Sequence, residues 1–158
     1  AAYRGHTELC VTLLSSLPPA DRLKLILVNK RTALHSAAHW GHTETVSGIL
    51  NCLTADQQLQ LLFTQDSGGD TALHGAARWE HTETVKNLLD KFTPEQQLKL
   101  LSVKNDKGLT ASQEATGISA LKNTEKILEQ YQIEAQYGVK YHEFAQFTQS
   151  LNHIKYFN

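Results

Sequence analysis

Apolar residues recur along the chain with the period of an α-helix. The clearest stripe occupies positions i, i+3, i+4 and i+7, namely Val46, Ile49, Leu50 and Leu53. Three further segments carry the same stripe: Cys10, Leu13, Leu14, Leu17; Val85, Leu88, Leu89, Phe92; and Thr124, Ile127, Leu128, Tyr131. The pattern therefore predicts four equivalent amphipathic helices.

A second, more polar signature precedes each of these helices. Residues 32–46 read TALHSAAHWGHTETV and residues 71–85 read TALHGAARWEHTETV, with 12 of 15 positions identical. A decayed copy, TASQEATG, begins at Thr110, and AAYRGHTE begins at Ala1. Thr32 and Thr71 are candidate N-caps, and the paired alanines allow neighbouring helices to approach closely. We expect each copy to form a helix pair that stacks on its neighbours in a solenoid.

A third short helix is predicted between copies. Thr93, Pro94 and Gln96 form a typical helix start, with a capping box and proline at the first helical position, and Thr54 and Gln57 repeat it. Apolar residues follow at aligned positions: Leu98, Leu100, Leu101, Val103; Leu59, Leu61, Leu62, Thr64; and Leu23, Leu25, Ile26, Val28. We predict a helix over residues 93–102 that packs between repeats and leads into finger-like turns at 66–69 and 105–108.

The signature followed by a paired-leucine helix resembles the ankyrin repeat, with Ala33 and Ala72 at the usual proline positions. The resemblance covers residues 1 to about 130 and departs from the usual period of about 33 by an extra stretch after each second helix. It implies an all-α ankyrin-repeat solenoid with finger loops. We assign a partial repeat to 1–31, repeats to 32–70 and 71–109, and a degenerate repeat to 110–130.

Residues 131–158 form an aromatic-rich C-terminal region, holding seven of the chain's twelve aromatic residues. Phe144, Phe147, Leu151 and Ile154 approximate a helical stripe. One interpretation is a capping helix that folds back on the fourth repeat. The other is a helix that binds a partner or self-associates. In the fourth signature, Ser112 and Gln113 replace leucine and histidine, which is typical of a terminal capping repeat.

Two irregularities concern the ends of repeats. The chain begins in the middle of a signature, so we expect it to be a fragment of a longer protein with at least half a repeat upstream. Val28 is separated from Thr32 by three residues, whereas Thr64 and Val103 are each six residues from their threonines. The finger at 28–30 is therefore either truly shortened in the protein, or it contains residues that this sequence lacks.

Composition excludes several classes of function. The 15 basic and 16 acidic residues nearly balance, with no long basic block, so nucleic acid is not an expected partner. No apolar stretch approaches the ~20 residues that cross a bilayer, so no membrane association is expected. The chain has two cysteines, Cys10 and Cys52, and lacks a signal-peptide pattern. We expect a reducing compartment, the cytoplasm or nucleus, with Cys10 as a small buried residue.

The histidines raise the question of metal binding, because His35, His39 and His42 are close in sequence. His35 and His42 have counterparts at His74 and His81, while the middle position becomes Arg78. The resemblance implies that these four repeated histidines are structural and bond backbone between repeats. No metal, cofactor or small-molecule substrate is expected. Residues 67–70 lack the lysine of a phosphate loop, and no catalytic motif stands out, so we do not expect an enzyme.

Recognition is the remaining function. The two positions after the paired alanines vary between copies: Tyr3 and Arg4, His39 and Trp40, Arg78 and Trp79, Gly117 and Ile118. The resemblance implies that they line a concave groove for a protein partner together with the finger residues Ser67, Gly68, Asp70, Asp106, Lys107 and Leu109. Tyrosine, tryptophan and arginine are enriched at binding hot spots. The alternative is that Trp40 and Trp79 pack against the added helices.

We therefore expect a monomeric scaffold or adaptor segment that binds a protein. The alternative function is a targeting or substrate-recruiting module of a larger enzyme or of a secreted bacterial effector. An effector of that kind would act in the host cytosol.

Overall fold

Helices account for all regular structure in the part of the chain that the computed structural model describes, residues 1–27, 31–116 and 122–138. A short 3-10 helix, Ala2–Arg4, precedes the α-helices. These are α1 Thr7–Ser15, α2 Pro19–Ile26, α3 Ala33–His39, α4 Thr43–Asn51, α5 Ala55–Leu62, α6 Ala72–Arg78, α7 Thr82–Leu89, α8 Pro94–Leu101, α9 Ala111–Thr116 and α10 Lys122–Tyr137. The predicted all-α fold is confirmed.

The added third helix of each repeat is also confirmed, as α2, α5 and α8. The Thr93 side chain accepts a hydrogen bond of 3.4 Å from the Gln96 amide, and the Gln96 side chain accepts one of 3.1 Å from the Thr93 amide. Thr54 and Gln57 make the same reciprocal pair at the start of α5. Both helices therefore begin at the capping boxes read from the sequence.

The helices stack in two columns. In one column α3 packs on α6 and α6 on α9, and in the other α1 packs on α4, α4 on α7 and α7 on α10. The core lies between the columns and is formed by residues of the repeated stripe and signature that are fully buried, including Leu34, Ala37, Val46, Ile49, Leu50, Leu73, Ala76, Val85, Leu88, Leu89 and Leu128. Equivalent residues of successive repeats thus form one continuous core.

The buried face of the added helices is narrower than the sequence indicated. Leu61 and Leu62 in α5, and Leu100 and Leu101 in α8, are buried. Leu98 is only half-buried. In α5 and α8 only the two adjacent leucines near the C-terminal end reach the core, while the first leucine of the predicted stripe is half-buried.

One position of the first stripe departs from the prediction. Leu13 is 50% exposed, whereas the equivalent residues Ile49 and Leu88 are fully buried. The reason is the position of α1 in the stack. Helix α4 packs between α1 and α7 in this column. Among the described helices, α1 has a neighbour in the column on one side only, which is α4.

Helix α10 continues the second column and is twice as long as α7. It runs through the boundary that we placed at residue 130 and packs on α7, α8 and α9. The Tyr131 hydroxyl donates a hydrogen bond to the Asp90 carboxylate of the preceding repeat. Within the described residues, no helix is both long and apolar enough to cross a membrane.

Some expectations fall outside the described residues. They are the aromatic stripe from Phe144 to Ile154, the varying pair Gly117 and Ile118, and the shortened finger at 28–30. Cys10 is buried as predicted, and its burial raises the pKa of the thiol.

Candidate protein-binding surface

Four aromatic rings from three consecutive repeats form a connected line on the surface, which we call the aromatic row. The ring of Tyr3 lies 5.1 Å from that of Trp40, His39 lies 5.3 Å from Trp40, and His39 lies 5.4 Å from Trp79, with interplanar angles of 75 to 79°. These are edge-to-face contacts. Tyr3, His39 and Arg78 occupy one repeat position, and Arg4, Trp40 and Trp79 the next. The row therefore follows the stacking direction.

The row is accessible. Tyr3 is 59% exposed, Trp40 48% and Trp79 53%, while His39, between the two indoles, is half-buried. Because about half of each tryptophan is exposed, neither is a fully buried core residue as the packing interpretation would require. Arg4 is also exposed, one position after Tyr3. The row presents two protruding indoles with a recessed imidazole between them.

Repeated histidines hold the backbone under the row. The His42 Nε2 lies 3.2 Å from the carbonyl oxygen of Tyr3, and the His81 Nε2 lies 3.1 Å from that of His39. Because a carbonyl oxygen only accepts, the imidazole donates in both bonds. Gly41 adopts a left-handed conformation with φ 68°, and a Cβ there would meet the His81 ring at 2.5 Å. Glycine is therefore required both for the turn and for the approach of this histidine.

The other two repeated histidines lie inside the stack. The His74 Nε2 lies 3.1 Å from the Leu109 carbonyl oxygen of the next repeat, and its Nδ1 accepts from the Thr71 amide. His35 likewise lies 2.9 Å from the Asp70 carbonyl oxygen, and its Nδ1 lies 2.7 Å from the Thr32 hydroxyl, as the His74 Nδ1 lies 2.9 Å from the Thr71 hydroxyl. Burial lowers the pKa of both imidazoles, although their backbone bonds oppose the effect. Both rings are therefore neutral donors between repeats.

Arg78 and Asp70, which we placed in the binding set, belong to a charge network between repeats. The Arg78 guanidinium contacts the Asp70 carboxylate at 2.6 Å and the Glu114 carboxylate at 2.9 Å. Asn105 donates to both carboxylates, at 2.8 and 2.7 Å. The Arg78 side chain remains 25% exposed. Glu114 was missed from the sequence because Gly75 and Ser36 occupy its position in the other copies, and Asn105, which aligns with Asp66, was assigned only to a turn.

The remaining finger residues are arranged around this network. Ser67, Asp106 and Lys107 are exposed, and the Asp106 amide donates to the Gly68 carbonyl oxygen at 3.1 Å, which joins adjacent fingers. The Lys107 ammonium lies 3.4 Å from the Glu114 carboxylate. Leu109 is half-buried and provides the carbonyl that His74 binds.

A polar cleft of about 60 Å³ adjoins the row between the fingers and α3 and α6. Its lining includes Arg31, His39, Asp66, Asp70 and Arg78. Burial, together with the nearby Arg31 and Arg78 guanidinium groups, lowers the pKa of His39. Arg31 is a residue that sequence analysis missed. Arg31 directly precedes Thr32, just as Asp70 and Leu109 directly precede Thr71 and Thr110. Alignment with these two candidate residues would have identified it.

The three histidines that are close in sequence lie apart in the structure. His35, His39 and His42 do not converge, and no group of three histidine, cysteine or acidic side chains suited to a metal occurs in the described ranges. The imidazoles that were candidates are instead bound to backbone carbonyls or packed against indoles.

Comparison with solved structures returns a yeast complex, that of the ribosomal protein Rps3 with its chaperone Yar1. The matched chain, the Yar1 ankyrin-repeat chaperone, is 25% identical to this chain. The match has a TM-score of 0.63 and covers 79% of this chain and 83% of the other. No curated protein matches the sequence.

Comparison with protein families adds a direct match over most of the chain. The model described as "Ankyrin repeats (3 copies)" matches residues 1–100. The match covers the partial repeat, the repeat 32–70 and residues 71–100 of the next repeat, in agreement with the stacked helix pairs of the structure. The chain therefore belongs to the ankyrin-repeat family.

Proposed function

We propose that the chain is a scaffold or adaptor segment that binds a protein partner through the aromatic row, with Tyr3, His39, Trp40 and Trp79 as its centre. The observation that carries the proposal is the exposure of two indoles and a phenol in one line of edge-to-face contacts, in which the His39 ring connects Trp79 to Trp40 and Trp40 contacts Tyr3. His42 and His81 bind the backbone carbonyls of Tyr3 and His39 in this line. A rigid aromatic surface loses little conformational entropy on binding.

The neighbouring residues add polar contacts to this surface. Arg4, Arg31, Ser67, Asp106 and Lys107 are exposed around the row and the fingers. In our proposal they form the polar rim of the interface, while Arg78, Asp70 and Leu109 contribute through their exposed parts. Charged residues at a rim affect the rate and specificity of association more than its affinity.

The solved relative is consistent with this function. The chain titled Yar1 is a chaperone in complex with a protein, Rps3, and has the same helical architecture as this chain. We infer from this likeness that the present chain also binds a protein, without assigning it the same partner.

Capture from a cell lysate tests the proposal. The wild-type chain, a Trp40→Ala/Trp79→Ala variant and a Leu9→Ala control are immobilised, and the bound proteins are quantified by mass spectrometry. Leu9 is 50% exposed but lies outside the row, so its loss tests for non-specific apolar adsorption. We expect a protein retained by the wild type and the control and lost from the double variant. The same set of bound proteins on all three would contradict the proposal.

A further inference from the structure

We propose that the segment recognised by the aromatic row is a proline-rich chain in the polyproline II conformation, with an acidic residue that pairs with Arg31. This inference rests on the proposed function, because it specifies the chemistry of the partner at the same surface. It follows from the spacing of the two indoles and from their N–H groups and a neighbouring guanidinium, none of which has a partner among the residues that the structure describes.

The spacing of Trp40 and Trp79 limits the conformations that can contact both. They occupy equivalent positions of stacked helices, whose axes lie about 8–10 Å apart. Both rings also lie within 5.4 Å of His39, so their separation cannot exceed about 11 Å. A polyproline II helix advances about 9 Å in each three-residue turn. Residues on one face of a β-strand recur at about 7 and 13 Å, which lie on either side of the helix spacing of about 8–10 Å.

Hydrogen bonding separates polyproline II from an α-helix, in which residues two turns apart are about 11 Å apart. No described residue accepts a hydrogen bond from the Nε1–H group of Trp40 or Trp79. The carbonyls of an α-helix are bonded within the helix, whereas those of polyproline II are free to accept. The two exposed indole donors therefore suit a polyproline II ligand, as in other aromatic-lined grooves.

Charge indicates what flanks the prolines. The carboxylate of Asp70 is bound by Arg78 and Asn105, and that of Asp66 accepts from the amides of Gly68 and Asp70. No carboxylate of the described residues lies within ion-pair distance of Arg31, which lines the same cleft as His39. Arg31, like the exposed Arg4 at the Tyr3 end of the row, is therefore a cation with no carboxylate partner among the described residues, and it favours an acidic residue in the ligand near His39.

Nuclear magnetic resonance titration of the full chain tests the inference. The chain has only two tryptophans, both in the row, so its indole N–H signals report on this surface alone. The probes are a capped nonaproline peptide with two glutamates at each end and a matched peptide with lysines instead. We expect the glutamate peptide to shift both indole signals saturably at millimolar concentration, and the lysine peptide to bind about fivefold more weakly, as for one exposed ion pair.

Charge reversal at Arg31 provides the decisive control. Arg31→Glu should reverse the preference between the two peptides, and Arg31→Lys should preserve it. Absence of indole shifts with the glutamate peptide, or equal affinity for both peptides, would overturn the inference. If the lysate partner still depends on Trp40 and Trp79 in that case, the proposed function stands and only the polyproline assignment fails. If no captured protein depends on them, the proposed function fails as well.

Discussion

The imidazole of His81 donates a hydrogen bond of 3.1 Å to the carbonyl oxygen of His39, the residue whose own ring lies between Trp40 and Trp79. A residue conserved between repeats for stacking thus fixes the backbone of a variable residue on the surface. The same relationship joins His42 to Tyr3. Residues that stabilise the stack therefore contact residues of the proposed binding surface directly. Mutations of one group or the other can separate effects on stability from effects on binding.

The buried histidines are predicted to stabilise the stack. Replacing His74 by alanine removes the bond to the Leu109 carbonyl and leaves the buried Thr71 amide without its acceptor, which should lower the free energy of unfolding by about 1–3 kcal/mol. The measurement is urea denaturation followed by circular dichroism. The control is His6→Ala, an exposed histidine at the position equivalent to His42, for which we expect little change. Equal stability of the two variants would contradict the structural role of His74.

Acidification should destabilise the protein through the same imidazoles. The pKa of His35 and that of His74 lie below 6.5 in the folded chain because burial disfavours the charged ring. Well above pH 6.5 both rings are neutral in the folded and unfolded states, so their contribution is complete. As the pH falls below that value, the unfolded chain takes up protons that the folded chain does not, and the free energy of unfolding decreases.

This pH dependence can be measured by urea denaturation between about pH 8 and pH 5, above the range in which carboxylates titrate. A variant with alanine at positions 35 and 74 should show a smaller slope than the wild type. Stability that rises on acidification, or an unchanged slope in the variant, would be inconsistent with the burial of these rings.

The charge network between fingers is predicted to contribute more than surface ion pairs. Bonding to Arg78 lowers the pKa of Glu114 to about 2, and its side chain is only 7% exposed. Glu114→Gln removes a buried charge opposite Arg78 and should cost about 1–3 kcal/mol of stability. Glu83→Gln, which removes an exposed pair with Lys86, should change stability by less than about 0.5 kcal/mol. Chemical denaturation of the two variants at neutral pH distinguishes them.

Helix α8 offers a comparison within one element. Leu100 is buried, so Leu100→Ala should lower the free energy of unfolding by about 2–5 kcal/mol. Leu98 is half-buried, so Leu98→Ala should cost less than Leu100→Ala. The two variants have the same helix propensity, and differential scanning calorimetry of both isolates the effect of burial. A larger loss of unfolding free energy for Leu98→Ala than for Leu100→Ala would mean that the face of α8 bearing Leu98, not the one bearing Leu100, packs against the stack.

The sequence predicted the helices and the repeat because both depend on local pattern. Thr93 and Gln96 specify the start of α8 by themselves. The apolar stripe specifies which face of α8 packs on other helices. Contacts that depend on stacking were not predictable in the same way. The Arg78 and Glu114 side chains are 36 residues apart and meet only because α6 packs on α9.

The aromatic row shows the same limit. Trp40 and Trp79 were identifiable as a repeated pair. Whether they point into the core or into solvent depends on the orientation of the C-terminal ends of α3 and α6. The half-exposed Leu13 is a further example, since its stripe position is the same as that of the buried Ile49. For Leu13, the packing of neighbouring helices decides burial.

Binding and stability measured together on the same tryptophan variants test the central claim most directly. Trp40→Ala and Trp79→Ala are compared with the wild type in affinity for the captured partner, by isothermal titration calorimetry, and in melting temperature. We expect each variant to lose about 2 kcal/mol or more of binding free energy while melting close to the wild type, because about half of each indole is exposed in the free chain. Unchanged affinity, or early unfolding of both variants, would contradict the assignment of the aromatic row as the binding surface.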